Sequence, residues 1–225
     1  DWGLVRPFQG TGTMGIWEQH VLHARVAEKH PGRIVTFACF DPRRPDAVDL
    51  LQRAVDELGM AGMKIHPASG FFPNERVVYP MYERALELGL PVMVHTGPEP
   101  KPLYSRHCQP VFLDDVAADF PHLNIILAHP AWPWVEEQIS MLVHKSNVYM
   151  DISGWSPRYF PEALVREMHT RIQNKVLYGS DHPAIHVDRW WADWDEIAVN
   201  ESITQKIFLD NAKRVLGIED WPEKK

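Results

Sequence analysis

Six times along this chain a short apolar run is followed by a stretch with helical spacing of its apolar residues. The apolar runs are Arg33–Pro42, Gly62–Pro67, Val92–His95, Ile125–His129, Val148–Ser153 and Val176–Tyr178. Helical spacing follows over Ala47–Leu58, Pro80–Leu88, Leu113–Phe120, Val135–His144, Glu162–Gln173 and Asp188–Ile197. Near-continuous apolar strands are what a sheet buried on both faces requires. Strands that alternate with helices wind into right-handed parallel β/α units, so an all-α or all-β domain is excluded. The punctuation agrees: Asp46 is placed to cap the helix at Ala47, and Gly59 and Gly89 follow the ends of two helices. A helix over Ile16–His30 follows a Gly/Thr-rich loop, Asp1–Gly15, and another over Ser202–Leu216 closes the chain.

A closed (β/α)8 barrel needs eight such units and typically about 250 residues. The competing open, doubly wound sheet is disfavoured because no strand is followed by a glycine-rich phosphate loop. No Ser/Gly linker divides the 225 residues. The expectation is an α/β fold in one domain over residues 1–225: a TIM-like barrel with its first strands missing.

Charge and composition remove several functions. A net charge of −7 without a basic run gives no footprint for nucleic acid. No apolar stretch reaches the ~18 residues of a membrane span, and no signal-peptide pattern is present. Two cysteines, Cys39 and Cys108, make no disulfide framework, so a cytoplasmic location is expected. Nine tryptophans suggest an aromatic-lined pocket, an oligomer surface or the rim of the core. Trp190, Trp191 and Trp194 on one helix make a homo-oligomer an expectation, with packing against the barrel's outer ring as the alternative.

Three strands end in metal-ligand residue types: His95, His129 and Asp181. A carboxylate at the end of an apolar strand is costly to bury unless a cation holds it. Side chains alternate across a strand, which puts His95 with Met93, His129 with Ile125 and Leu127, and Asp181 with Leu177 and Gly179. Lys64 and His66 share a face on an earlier strand, and Gly62 and Gly179 one layer down would leave room for an ion. Such imidazole and carboxylate groups suit a divalent metal: zinc first, with manganese, iron or cobalt as alternatives. Strand-end histidines also serve simply as hydrogen-bonded structural residues. His20, His23, His30, His144 and His169 fall on helices and are expected to be solvated. The loops beyond the strands carry aromatic and basic groups, among them Trp155, Arg158 and His182, suited to a small, carboxylated, cyclic substrate.

These residues carry a resemblance. PVMVHTG, NIILAHPA, NVYMDISGW, KVLYGSDHP and the tail FLDNAKRVLGI, in this order, resemble the amidohydrolase superfamily over about Arg33–Gly217. The similarity is to its amidohydrolase-related branch, which holds aminocarboxymuconate-semialdehyde decarboxylases, resorcylate decarboxylases and pyrone-dicarboxylate lactonases. It implies a distorted (β/α)8 barrel with a divalent metal, His95 and Asp181 as ligands, and His129 as a second-metal ligand or catalytic base. It also puts Lys64 where binuclear members carry a carboxylated bridging lysine. His66, Trp155, Arg158 and His182 would meet the substrate, and Asp181 or His129 would move the proton. The family's first-strand ligand pair has no counterpart here, and the resemblance aligns Asp1 just after the second strand. The expected activity is metal-dependent hydrolysis of an ester, lactone or amide through a metal-activated water, with non-oxidative decarboxylation and a non-catalytic barrel as the alternatives.

Overall fold

A computed structural model describes residues 3–5, 15–99 and 103–218. Its core is a six-stranded, all-parallel sheet in the order β3-β4-β5-β6-β7-β8. The strands are β3 (Ala38–Cys39), β4 (Met63–Ile65), β5 (Val92–His95), β6 (Ile125–Ala128), β7 (Val148–Asp151) and β8 (Val176–Leu177). The expected run Arg33–Pro42 is broken at Phe37: Ile34–Thr36 (β2) pairs instead with Gly3–Val5 (β1), parallel and in a separate two-stranded sheet. Residues 3–5 are thus strand, not loop. The rest of the expected loop, residues 1–2 and 6–14, lies outside the described residues. The order of the sheet follows the order of the sequence, as a winding barrel demands.

Alternation along the strands sorts two cores. Met63, Ile65, Val92, Val94, Ile125, Leu127, Val148, Met150 and Val176 pack outward against the helices. These are α2 (Ala47–Leu58), α3 (Tyr79–Glu87), α4 (Phe112–Asp119), α5 (Val135–His144) and α6 (Glu162–Met168). The opposite row, Met93, Ile126, Tyr149 and Leu177, makes a small inner core closed by Ala212, Val215 and Leu216 of α9 (Asn211–Leu216). Lys64 lies in register with Met93, Ile126 and Tyr149, which places an ammonium group in that inner row with 1% of its surface exposed.

Several local expectations change. Asp46 stands at the N-cap of α2 but does not cap it, because its carboxylate is drawn to the Arg44 guanidinium at 2.9 Å. The expected helix Glu162–Gln173 ends at Met168, and Ile172 is buried from the turn beyond. The expected helix Ser202–Leu216 is three pieces: α8 (Glu201–Gln205), a π-helical stretch Lys206–Asp210, and α9. The Ile207 carbonyl accepts from the Tyr178 amide at 2.8 Å, so one carbonyl of that stretch serves the end of β8. The Asn211 amide then donates to the carbonyls of Gln173 and Val176 at 2.9 and 2.7 Å. The tail therefore satisfies backbone groups around the outermost strand of the sheet.

The other tryptophan-rich helix is α7 (Val187–Glu196), which follows the β8 loop. Two of its tryptophans are not surface groups: Trp190 and Trp194 are buried and stacked 5.4 Å apart, beside Tyr178 and Phe208. Trp191 alone of the three keeps 41% of its surface exposed. Aromatic packing on the sheet's end explains most of that cluster without a partner. Among the described residues, no helix is long and apolar enough to cross a membrane.

Candidate functional site

The strand ends converge as alternation requires at β5 and by a different device at β6. On β5, His95 continues the inner row begun by Met93 and is buried. On β6, alternation puts Ile125 and Leu127 against the helices, and His129 would follow them outward. His129 instead leaves the strand in a left-handed conformation, φ 74°. Its imidazole then meets that of His95, with ring centroids 4.8 Å apart. The expected meeting of His95 and His129 is therefore present, but a single backbone reversal makes it, not strand periodicity. Asp181 beyond β8 is likewise left-handed, φ 58°, and exposed.

His95 belongs to a close group of three potential ligands. His66 Nε2, His95 Nε2 and Glu99 Oε1 gather with all ligand atoms within 4.8 Å of one another. Glu99 Oε1 is 2.5 Å from His66 Nε2 and 3.0 Å from His95 Nε2. The Ser69 hydroxyl sits 3.3 Å from His66 Nδ1, and the Glu99 amide donates to Ser105 Oγ at 2.9 Å. Both groups are thus oriented from behind. Tetrahedral ligands about 2.1 Å from an ion stand about 3.4 Å apart, so the 2.5 and 3.0 Å contacts of Glu99 would open slightly around one. Two buried imidazoles and a carboxylate are a donor set for a divalent first-row metal. The residues therefore fit the ion that the sequence implies, with His66 and Glu99 beside His95.

Glu99 carries no motif that marks it as a ligand. Its only signal in the sequence is a lone acid between two prolines, four residues after His95. Gly62 and Gly179 do not make room for an ion. A Cβ on Gly62 would lie 2.3 Å from the Phe37 ring, and one on Gly179 would lie 2.7 Å from Ser153 Cβ. Each glycine admits a neighbouring side chain.

Burial holds the His129 imidazole below the usual histidine range; Asp151 opposes this, Lys64 reinforces it, and Asp181 opposes it. Burial thus favours the neutral imidazole, the form that accepts a proton. The Cys108 thiol, also influenced by Glu99 and Lys64, is pushed up to about 12, chiefly by burial, so it is no thiolate nucleophile.

The loop residues are less concentrated. Trp155 and Trp132 approach with ring centroids 6.1 Å apart, and Trp132 keeps 53% of its surface exposed three residues after His129. Arg158 is exposed, with its guanidinium 5.6 Å from the Tyr159 ring centroid. His182 is exposed and 6.4 Å from the His186 ring. Of the residues singled out in the sequence, the structure joins His66, His95 and His129, puts Lys64 and Asp181 within electrostatic reach of His129, and leaves Arg158 and His182 outside these contacts. His20 is not solvated. It is fully buried, and burial lowers its pKa to about 4.

An amidohydrolase family model matches residues 11–218. A curated relative, the 2-keto-4-carboxy-3-hexenedioate hydratase of Sphingobium sp. (strain NBRC 103272 / SYK-6), is 32% identical over 152 residues. That match takes in 56% of this chain and 44% of the relative, so the chain spans less than half the length of the curated protein it matches. Among solved structures, an uncharacterised TIM-barrel protein from Bordetella bronchiseptica superposes with a TM-score of 0.80 at 21% identity, covering 88% of this chain and 72% of its own. A dihydroxybenzoic acid decarboxylase from Polaromonas sp. JS666, with bound manganese and the inhibitor 2-nitroresorcinol, superposes at 0.70 with 18% identity, over 91% of this chain and 75% of that one. At such identities the solved structures speak for the fold, a parallel β/α barrel.

Proposed function

This chain belongs to the amidohydrolase family, and we propose that it serves a metal-dependent enzyme that adds water to a small, carboxylated, conjugated substrate. The observation that carries this reading is the His129 imidazole set 4.8 Å, ring to ring, from His95 of the His66–His95–Glu99 group. A divalent ion held by those three residues would supply Lewis acidity, polarising a substrate oxygen and acidifying nearby water. His129 would accept the proton released when water attacks and return one to the product carbon or leaving group. Lys64, in the inner row below, adds positive potential that favours an anionic substrate. Asp181 keeps the carboxylate in reach of the same imidazole, as an alternative proton carrier or ligand. Hydration of a carbon–carbon double bond is the first choice, supported by the 32% identical hydratase, and hydrolysis of an ester or lactone uses the same parts.

Decarboxylation is the second reading. The Trp132–Trp155 pair suits a flat aromatic acid, and His129, first protonated at Nε2 from solvent, would deliver that proton to the ring carbon that loses carbon dioxide. The discriminating experiment uses the full-length gene product, purified without chelator, with elemental analysis alongside. Loss of enone absorbance without release of carbon dioxide is expected from an unsaturated keto diacid. Carbon dioxide from hydroxybenzoates, with no hydration, would replace the first reading by the second. A folded protein with no metal and no turnover would overturn both.

A further inference from the structure

The His129 imidazole is held by a network around Asp151 and Ser153. Asp151, buried at the end of β7, accepts three hydrogen bonds on one oxygen, Oδ1. The donors are the His129 amide at 3.2 Å, the Ser153 amide at 2.9 Å and the Ser153 hydroxyl at 2.5 Å. The hydroxyl proton is thereby committed to a carboxylate, a charge-assisted bond that a neutral acceptor does not match. Ser153 Oγ has only lone pairs left for its second neighbour, His129 Nδ1, at 2.9 Å. The Ser153 carbonyl, which can only accept, faces the same nitrogen at 3.0 Å. Two oxygens that offer no proton surround Nδ1. We infer that Asp151 and Ser153 are positioning residues that fix His129 as its Nδ1–H tautomer, leaving Nε2 as the nitrogen that exchanges protons with substrate.

Two glycines make the arrangement sterically available. Gly154, at φ 74°, passes so close that a Cβ there would lie 2.7 Å from His129 Nδ1. Gly179 beyond β8 leaves space for the Ser153 side chain. The His129 carbonyl, meanwhile, accepts from Gln138 Nε2 of α5 at 3.0 Å, which anchors the reversed backbone from the other side. Orientation of a proton-transfer imidazole by a carboxylate acting on Nδ1 is a general solution; here a hydroxyl stands between the two.

The inference rests on the reading of His129 as the proton-transfer group, and its test separates the two. The full-length protein, zinc-loaded and with 15N-labelled histidine, is examined by long-range 1H–15N correlation near neutral pH. The His129 signals are assigned by their loss in His129→Gln. A protonated Nδ1 and an unprotonated Nε2 are expected; the reverse tautomer would overturn the inference outright. In Ser153→Ala, and in Asp151→Asn should the first not fold, an Nε2–H population should emerge. With it kcat should fall about tenfold at a KM within about twofold, a fraction of the roughly 10²–10⁴ that a positioned proton-transfer group supplies. Unchanged tautomer and unchanged kcat in a folded variant would refute the positioning role. The expected tautomer in a protein that turns over no substrate would keep the positioning and discard the proposed function.

Discussion

Acid should loosen this protein through His20, which lies outside the His66–His95–Glu99 group. His20 lies on α1 (Ile16–Lys29), and its Nδ1 meets the Ile16 carbonyl at 2.6 Å. Its Nε2 accepts the Cys39 amide at 2.9 Å, and its ring stacks on Phe40 with centroids 4.2 Å apart. A nitrogen that accepts a backbone N–H cannot also hold a proton, and burial lowers the pKa from 6.5 to about 4. The folded state therefore binds fewer protons than the unfolded one between those values. Stability is fully present above pH 6.5 and declines as pH falls towards 4. At pH 5 an unfolded imidazole is about 30 times more protonated than not, and the buried one only about a tenth, which amounts to roughly 2 kcal/mol. Complete protonation would cost about 3 kcal/mol. His20→Gln keeps an acceptor for the Cys39 amide but cannot titrate. Urea unfolding at pH 7.5 and pH 5 should show wild type losing about 2 kcal/mol more than the variant. Equal losses, within about 0.5 kcal/mol, would refute this account of His20. Because Cys39 pairs in register with Lys64, the same acidification should disturb the floor of the site.

Glu99→Gln keeps the shape of the group but removes its charge. Zinc or manganese affinity, followed by titration with a chromogenic chelator, should fall at least about 10–100-fold, and unchanged affinity would remove Glu99 from the metal centre. Gly154→Ala places a methyl on a left-handed residue and against His129. A stability loss of about 1–3 kcal/mol in thermal unfolding should accompany a fall in kcat, whereas a neutral substitution would contradict the close approach. Arg158→Ala, on an exposed turn, should leave stability within about 0.5 kcal/mol. It should raise KM for a dianionic substrate if its guanidinium pairs with a substrate carboxylate; an unchanged KM would end that assignment.

The strand–helix rhythm is legible in the sequence because burial on both faces leaves near-continuous apolar runs. The helix Val135–His144, the helix Ala47–Leu58 and the strand Val92–His95 are found where periodicity puts them. His95 is legible for the same reason, lying two residues after Met93 on one face. His129 meets His95 through a positive φ, and Asp181 takes the same left-handed conformation, which no pattern of residue types on a regular strand encodes. Glu99 comes from a loop, where position depends on tertiary contacts such as the bond to Ser105. His20 was within reach: Ile16, His20 and Ala24 recur every four residues along one helix face, and the last two are buried. A polar residue type hid an apolar position. Phe37 breaks a strand that composition alone reads as continuous, and its ring fills the space over Gly62.

The reversal at His129 has a consequence for how such a barrel diversifies. The residue sits just past the last rung of β6, and its amide and carbonyl are served by the side chains of Asp151 and Gln138. Its own side chain therefore carries no part of the sheet's hydrogen bonding. Exchange of the imidazole for another group would cost the two contacts of Nδ1 with Ser153 but would leave these backbone connections whole. Chemistry and architecture are separable at that position, so a lineage could try new reagents there without first rebuilding its frame.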